Sequence, residues 1–138
     1  MSLIYTKAFS KYGATLNNQK WSVSAFGSDG CLVVSLWQDS IKPGTEKGTL
    51  VYRDTLSLWK GNDAGRNELR SHLNTLKNTG SRIKLVIAHP LSANDASLVG
   101  KVSDESKIKK TFSIRKDVLG TLKKFDDDFL CIEFGRVD

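Results

Sequence analysis

The residues best suited to chemistry in this chain gather in the stretch from Trp59 to Gly80, where a tryptophan, Lys60, Arg66 and Arg70 share a polar, glycine-containing loop and the helix it feeds. A helix N-terminus presents unpaired backbone N–H groups and a partial positive charge, so with Lys60 and Arg66 beside it such a loop can hold a phosphate or a carboxylate. The competing reading is a capped helix start with Trp59 packed in the core. A second cationic run, Lys107, Lys109, Lys110, Arg115 and Lys116, comes late in the chain. Trp37, Tyr52 and Trp59 stand at strand ends, where rings can stack on bases or wall a shallow pocket. Cations to neutralise phosphates and planar groups to stack on bases are what nucleic-acid binding asks of a surface. Lysines at alternate positions of an exposed strand also guard it against aggregation, and that alone would account for Lys107 and Lys109.

Other chemistries find less support. Nucleophilic catalysis needs a base beside a nucleophile and a group to orient it. His72 falls on the polar face of the helix and His89 at a strand end before Pro90, and neither has a sequence neighbour that makes a dyad. Asp95 followed by Glu105-Ser106-Lys107 imitates the carboxylates and lysine of a metal-dependent nuclease, but in a polar, serine-rich segment rather than on a rigid strand. Asp126-Asp127-Asp128 lacks the spacing of an EF-hand and reads as a solvated hairpin tip. Cys31 and Cys131 lie in apolar runs and, even with the two histidines, are too few and too far apart for a metal site. No catalytic residue, metal or cofactor is expected.

The elements that must position these groups can be read from hydrophobic periodicity. Leu69, Leu73 and Leu76 fall at i, i+4 and i+7, the stripe of an amphipathic helix over about 66–79, with Gly80 placed to end it. Its start is open among Asn62, Asp63 and Gly65 with Glu68. Trp21 to Phe26 alternates and Cys31 to Trp37 is almost continuously apolar, so Gly27 to Gly30 joins a hairpin whose second strand is covered on both faces. Arg82 to His89 is a buried strand stopped by Pro90. Shorter strands are expected at 4–9, 49–52, 98–102, 107–115, 121–125 and 129–134. The sum is one α+β domain over 1–138: a strongly curved, mainly antiparallel sheet or small barrel with one main helix packed on it.

Composition agrees with a folded domain, since 138 residues that are 39% hydrophobic and 26% charged can bury a core without cross-links. No apolar run is long enough to span a membrane and the start does not resemble a signal peptide, so the expected location is the cytoplasm and no membrane partner is expected. The net charge of +6 favours encounter with polyanions.

The strand Leu32-Val33-Val34-Ser35-Leu36-Trp37, the loop Trp59-Lys60-Gly61-Asn62-Asp63-Ala64-Gly65-Arg66-Asn67-Glu68, the leucine-rich helix and the strand Ile83 to Ala88 resemble the N-terminal modified-DNA-reading heads of modification-dependent HNH restriction endonucleases. The resemblance covers less than half of the chain and includes no HNH nuclease half, so it implies DNA contact through Arg66 and Arg70 but no cleavage. The expectation is therefore a non-enzymatic nucleic-acid-binding domain. The alternative is a protein-interaction or small-ligand domain with an aromatic-walled pocket, its charge serving solubility.

Overall fold

Two strands that are apolar at nearly every position set the plan. In the computed structural model, which describes residues 4–58, 63–99 and 108–137, β2 (Leu32–Trp37) and β5 (Ile83–Pro90) lie side by side in parallel, registered from Leu32 opposite Ile83 to Trp37 opposite Ala88. Side chains alternate across a strand, so only a strand with a layer on each face stays apolar throughout. Leu32, Val34 and Leu36 with Ile83, Leu85 and Ile87 meet Leu69, Leu73 and Leu76 of helix α2 (Asp63–Thr79) on one side. On the other side Val33, Val86 and Ala88 meet Ala8 and Phe9 of a short helix, α1 (Tyr5–Ser10), together with Tyr12 and Ala14 behind it.

The remaining strands extend this pair into one eight-stranded sheet. β1 (Ser24–Phe26) forms the expected hairpin with β2 across Gly27 to Gly30. β3 (Ile41–Pro43) and β4 (Leu50–Thr55) precede α2; β6 (Lys110–Ile114), β7 (Val118–Phe125) and β8 (Phe129–Arg136) close the described chain. The order is β1-β2-β5-β7-β8-β4-β3, with β6 also on β5, and every pairing but β2 with β5 is antiparallel. The fold is thus α+β with a mainly antiparallel sheet. It does not close into a barrel, because β1 and β3 end the order without meeting.

Three local expectations are corrected. Residues 4–9 form no strand: Tyr5, Phe9 and Tyr12 follow a helical stripe, and the rings of Tyr5 and Phe9 meet edge-to-face at 5.2 Å, one helical turn apart. The strand expected from Trp21 begins only at Ser24, because Ser22 turns its hydroxyl to accept the Asn18 backbone N–H. Leu98 ends a short helix, α3 (Ala93–Leu98), whose N-cap Ser92 accepts from the Asp95 backbone N–H; residues 100–102 of the strand expected there lie outside the described residues.

One seam needs a side chain to complete it. The free edge of β5 is shared end to end, with Ile83 paired to Gly120 of β7 and Val86 to Pro90 paired to β6. Between them the Tyr12 hydroxyl donates to Leu85 O at 3.1 Å and accepts from Arg115 N at 3.2 Å, and burial of the phenol pushes its pKa to about 12. Replacing Tyr12 by Phe leaves Arg115 N and Leu85 O only their direct contact of 3.4 Å, and should lower unfolding free energy by about 1 kcal/mol in urea titrations.

α2 lies so close to the chain before β1 that a side chain on Gly65 would overlap the Trp21 carbonyl oxygen. Its far end terminates as expected, with Gly80 at φ +70° and its N–H on Leu76 O at 2.8 Å. Gly65→Ala should therefore destabilise by about 1–2 kcal/mol in urea titrations, against the roughly 1 kcal/mol that alanine gains over glycine within a helix.

Candidate nucleic-acid interface

The polar stripe of α2 faces the tip of the β7–β8 hairpin. Arg70, Asn74 and Lys77 recur at helical spacing, and each holds that tip: Arg70 Nε donates to Asp127 O at 2.8 Å, Asn74 Nδ2 to Asp127 Oδ1 at 3.0 Å and Lys77 Nζ to Phe125 O at 2.9 Å. Asp127 takes the positive φ of +80° that this tip requires. Asp128 accepts from both the backbone N–H and the hydroxyl of Ser57. The Asp126 carboxylate is held below its usual pKa by the backbone N–H groups of Phe129 and Asp128. The acidic triplet is therefore a bracket between a hairpin, a helix and the turn after β4, and not only a solvated tip. Among the described residues no group of three or more metal-ligating side chains converges.

Of the helix cations named from the sequence, this bracket engages Arg70. Arg66 pairs with Asp63 one turn earlier, and Arg70 also donates to Asn67 Oδ1 at 3.1 Å. On the late run, Arg115 grips Asp117 with two bonds of 2.7 and 2.9 Å, which depresses the Asp117 pKa to about 2. Lys110 donates to Ile108 O and stands 5.4 Å over the Trp37 ring, on the α1 side of the sheet. Lys109 and Lys116 are exposed. Tyr52 is 2% exposed, within the α2-side core, its hydroxyl on Asp54 Oδ2 at 2.5 Å, so it offers no ring face for stacking. Trp59, Lys60 and Lys107 lie outside the described residues. Arg66 and Arg70 thus belong to the α2 side, while Lys110 and Trp37 belong to the opposite side.

A different cationic surface follows from the burial pattern of β8. Leu130, Ile132 and Phe134 are buried toward α2, whereas Phe129, Cys131, Glu133 and Gly135 point the other way and are half-exposed. The α1-side cluster draws on β1, β2, β5 and β6 and takes nothing from β4, β7 or β8, so among the described residues this part of the sheet is covered on one face only. Register then places its side chains. Arg53, Cys131 and Lys124 form one cross-strand row, Lys42, Val51, Glu133 and Thr121 the next, and Thr55 stands opposite Phe129. Lys42, Arg53 and Lys124 are exposed, none has a carboxylate partner among the described residues, and Lys124 Nζ lies 5.6 Å over the Phe129 ring. Glu133 is the acid within these rows.

Sequence periodicity hides this surface because Leu122 and Lys124 look like neighbours on one face. The register slips between them, so Leu122 pairs Ile132 toward the core while Lys124 pairs Cys131 on the open side. A shallow cleft of about 590 Å³ lies elsewhere, along α1 and the 14–20 segment, and is lined by polar groups including Thr6, Ser10, Asn17 and Lys20. No aromatic ring lines it.

The helix face assigned to His72 is half-buried against β1: Nδ1 lies 2.8 Å from Ser24 Oγ and the ring meets Phe26 edge-on at 5.1 Å. Desolvation lowers its pKa below 6.5, partly opposed by Glu68 one turn away. A histidine with a depressed folded pKa favours folding while neutral, so its contribution is complete above the unfolded value and is lost as pH falls from there through the folded value. Unfolding free energy measured from pH 7.5 to 5 should fall across that window, and His72→Gln should flatten the fall. Comparison with protein-family models, with curated proteins and with solved structures finds no match to this chain.

Proposed function

We propose that this protein is a nucleic-acid-binding domain that lays a single strand across the uncovered face of β7, β8, β4 and β3. The observation that carries the reading is the set of exposed cations without carboxylate partners, Lys42, Arg53 and Lys124, beside the half-exposed Phe129 ring. Backbone phosphates need cations free to replace their counterions, and unstacked bases need a planar apolar surface. A strand array supplies both at regular spacing, because neighbouring strands lie about 4.8 Å apart and every second residue of each faces the ligand. The resemblance to modified-DNA-reading heads points to the same class of polymer. Its contact candidates, Arg66 and Arg70, are engaged with Asp63 and the hairpin tip, so the sheet face carries the reading instead.

Affinity for a fluorescent oligonucleotide should fall with salt with a log–log slope of about −2, from three phosphates at roughly 0.7 each. Arg53→Glu with Lys124→Glu should abolish measurable binding at physiological salt, while Phe129→Ala should weaken it by about 1–3 kcal/mol, the worth of one stacked base. Arg66→Glu should leave it unchanged. No binding to DNA or RNA at low ionic strength overturns the proposal, and loss on Arg66→Glu alone moves the site back to the helix entrance.

A further inference from the structure

The carboxyl ends of parallel neighbours β2 and β5 meet at a corner of the sheet remote from the β3–β4–β8–β7 face, and three side chains converge there. Gln38 is the first residue after β2, His89 stands near the end of β5, and Ser113 lies on the adjoining β6. Thr111 is the partner of His89 and Ile87 that of Ser113, so His89 and Ser113 are diagonal neighbours on one face of an antiparallel pair. Ser113 Oγ is 2.6 Å from His89 Nε2, and His89 Nδ1 is 2.9 Å from Gln38 Oε1. The arrangement that activates the serine has the Gln38 amide oxygen accepting from Nδ1–H, which leaves the Nε2 lone pair facing the serine hydroxyl. Gln38 is exposed, and His89 and Ser113 are half-exposed, which places the group at the surface of the fold.

We propose that Ser113 is a nucleophile activated by His89, with Gln38 as the residue positioning the imidazole, and that the corner reacts with small activated esters. Serine, a base bonded to it and a third group orienting the base are the parts of a nucleophilic triad, here with a neutral orienting group. Ser113 Oγ bonds to the acyl carbon as its proton passes to His89 Nε2. The carbon–oxygen bond to the alcohol breaks, and the departing oxygen takes that proton. Water, deprotonated by the same nitrogen, then attacks the acyl-serine, releasing the acid and restoring the Ser113 hydroxyl. Thr111, on the same side beside His89, is half-exposed with its hydroxyl bonded to no described residue, and offers a donor to the transient oxyanion.

The test is labelling of the intact chain with a fluorophosphonate probe, read by protein mass and peptide mapping. The expected result is one adduct at Ser113, absent in Ser113→Ala, forming at least about 100-fold more slowly in His89→Asn, as loss of a general base implies. Gln38→Leu should slow labelling and displace its pH profile, which a merely structural role would leave in place. Nitrogen NMR of the unmodified protein should show His89 as the Nδ1–H tautomer, independently of how any variant folds. An unlabelled Ser113, labelling at an equal rate without His89, or an Nε2–H tautomer overturns the proposal.

Discussion

A parallel pair of strands cannot be joined by a tight turn, and the contact between β2 and β5 therefore dictates where the rest of the chain goes. Residues 38–82 must leave one edge of the pair and return to it, and in doing so they lay down β3, β4 and α2. Because α2 arrives last, directly before β5, it settles on the face that Leu32, Val34, Leu36, Ile83, Leu85 and Ile87 leave apolar. The opposite face of the same two strands needs its own cover, and α1 supplies it with Ala8 and Phe9. Gly65 lets the helix approach the chain before β1, and Tyr12 closes the seam where β6 and β7 share one edge.

What is left uncovered follows from the same rule. β8 is buried at alternate positions only, and on β4 the second face carries buried Val51 beside exposed Arg53, so α2 covers one face of these strands and leaves most of the other to solvent. Polar and cationic residues on that second face are permitted by the fold but not required by it. A folded chain of this size has ample ways to satisfy an arginine, locally as Arg66 and Arg115 do with Asp63 and Asp117, or across the fold as Arg70 does with Asp128. Exposed ion pairs of that kind stabilise by at most about 1 kcal/mol each and leave no field for a ligand. Three cations on one face without a carboxylate partner among the described residues, Arg53 and Lys124 in one cross-strand row and Lys42 in the next, are for that reason the more informative arrangement.

Much of this was legible in the chain because it rests on local pattern. The apolar runs at 32–37 and 83–88, the turn from Gly27 to Gly30, the leucines of α2 with Gly80 at its end, and the hairpin around Asp126 to Asp128 all declare themselves within about ten residues. α1 did not, because over residues 4–9 Tyr5 and Phe9 share a face both at one helical turn and in a two-residue alternation, and only Tyr12 and the layer beneath decide between them. Charge pairing was illegible for a different reason. Arg70 meets Asp127 across 57 positions and Lys77 meets Phe125 across 48, distances that periodicity does not bridge. The open face required two facts at once, the strand order and a register slip beside Lys124, neither of which leaves a mark in composition.

The two histidines show how surroundings separate a packing role from a chemical one. His72 and His89 each hydrogen-bond a serine, but Ser24 is fully buried, and the ring beside it is wedged on Phe26 with a nearby carboxylate, Glu68, on its own helix. There the bond satisfies two polar groups that the core would otherwise leave unpaired, and desolvation holds the imidazole neutral. His89 stands at the rim, with both nitrogens engaged by side chains from two other elements and its serine half-exposed. Satisfying a buried group would not need a third residue to hold the far nitrogen. Two bonds hold the ring at a solvent-facing position, and a base held in place is what a reactive serine needs.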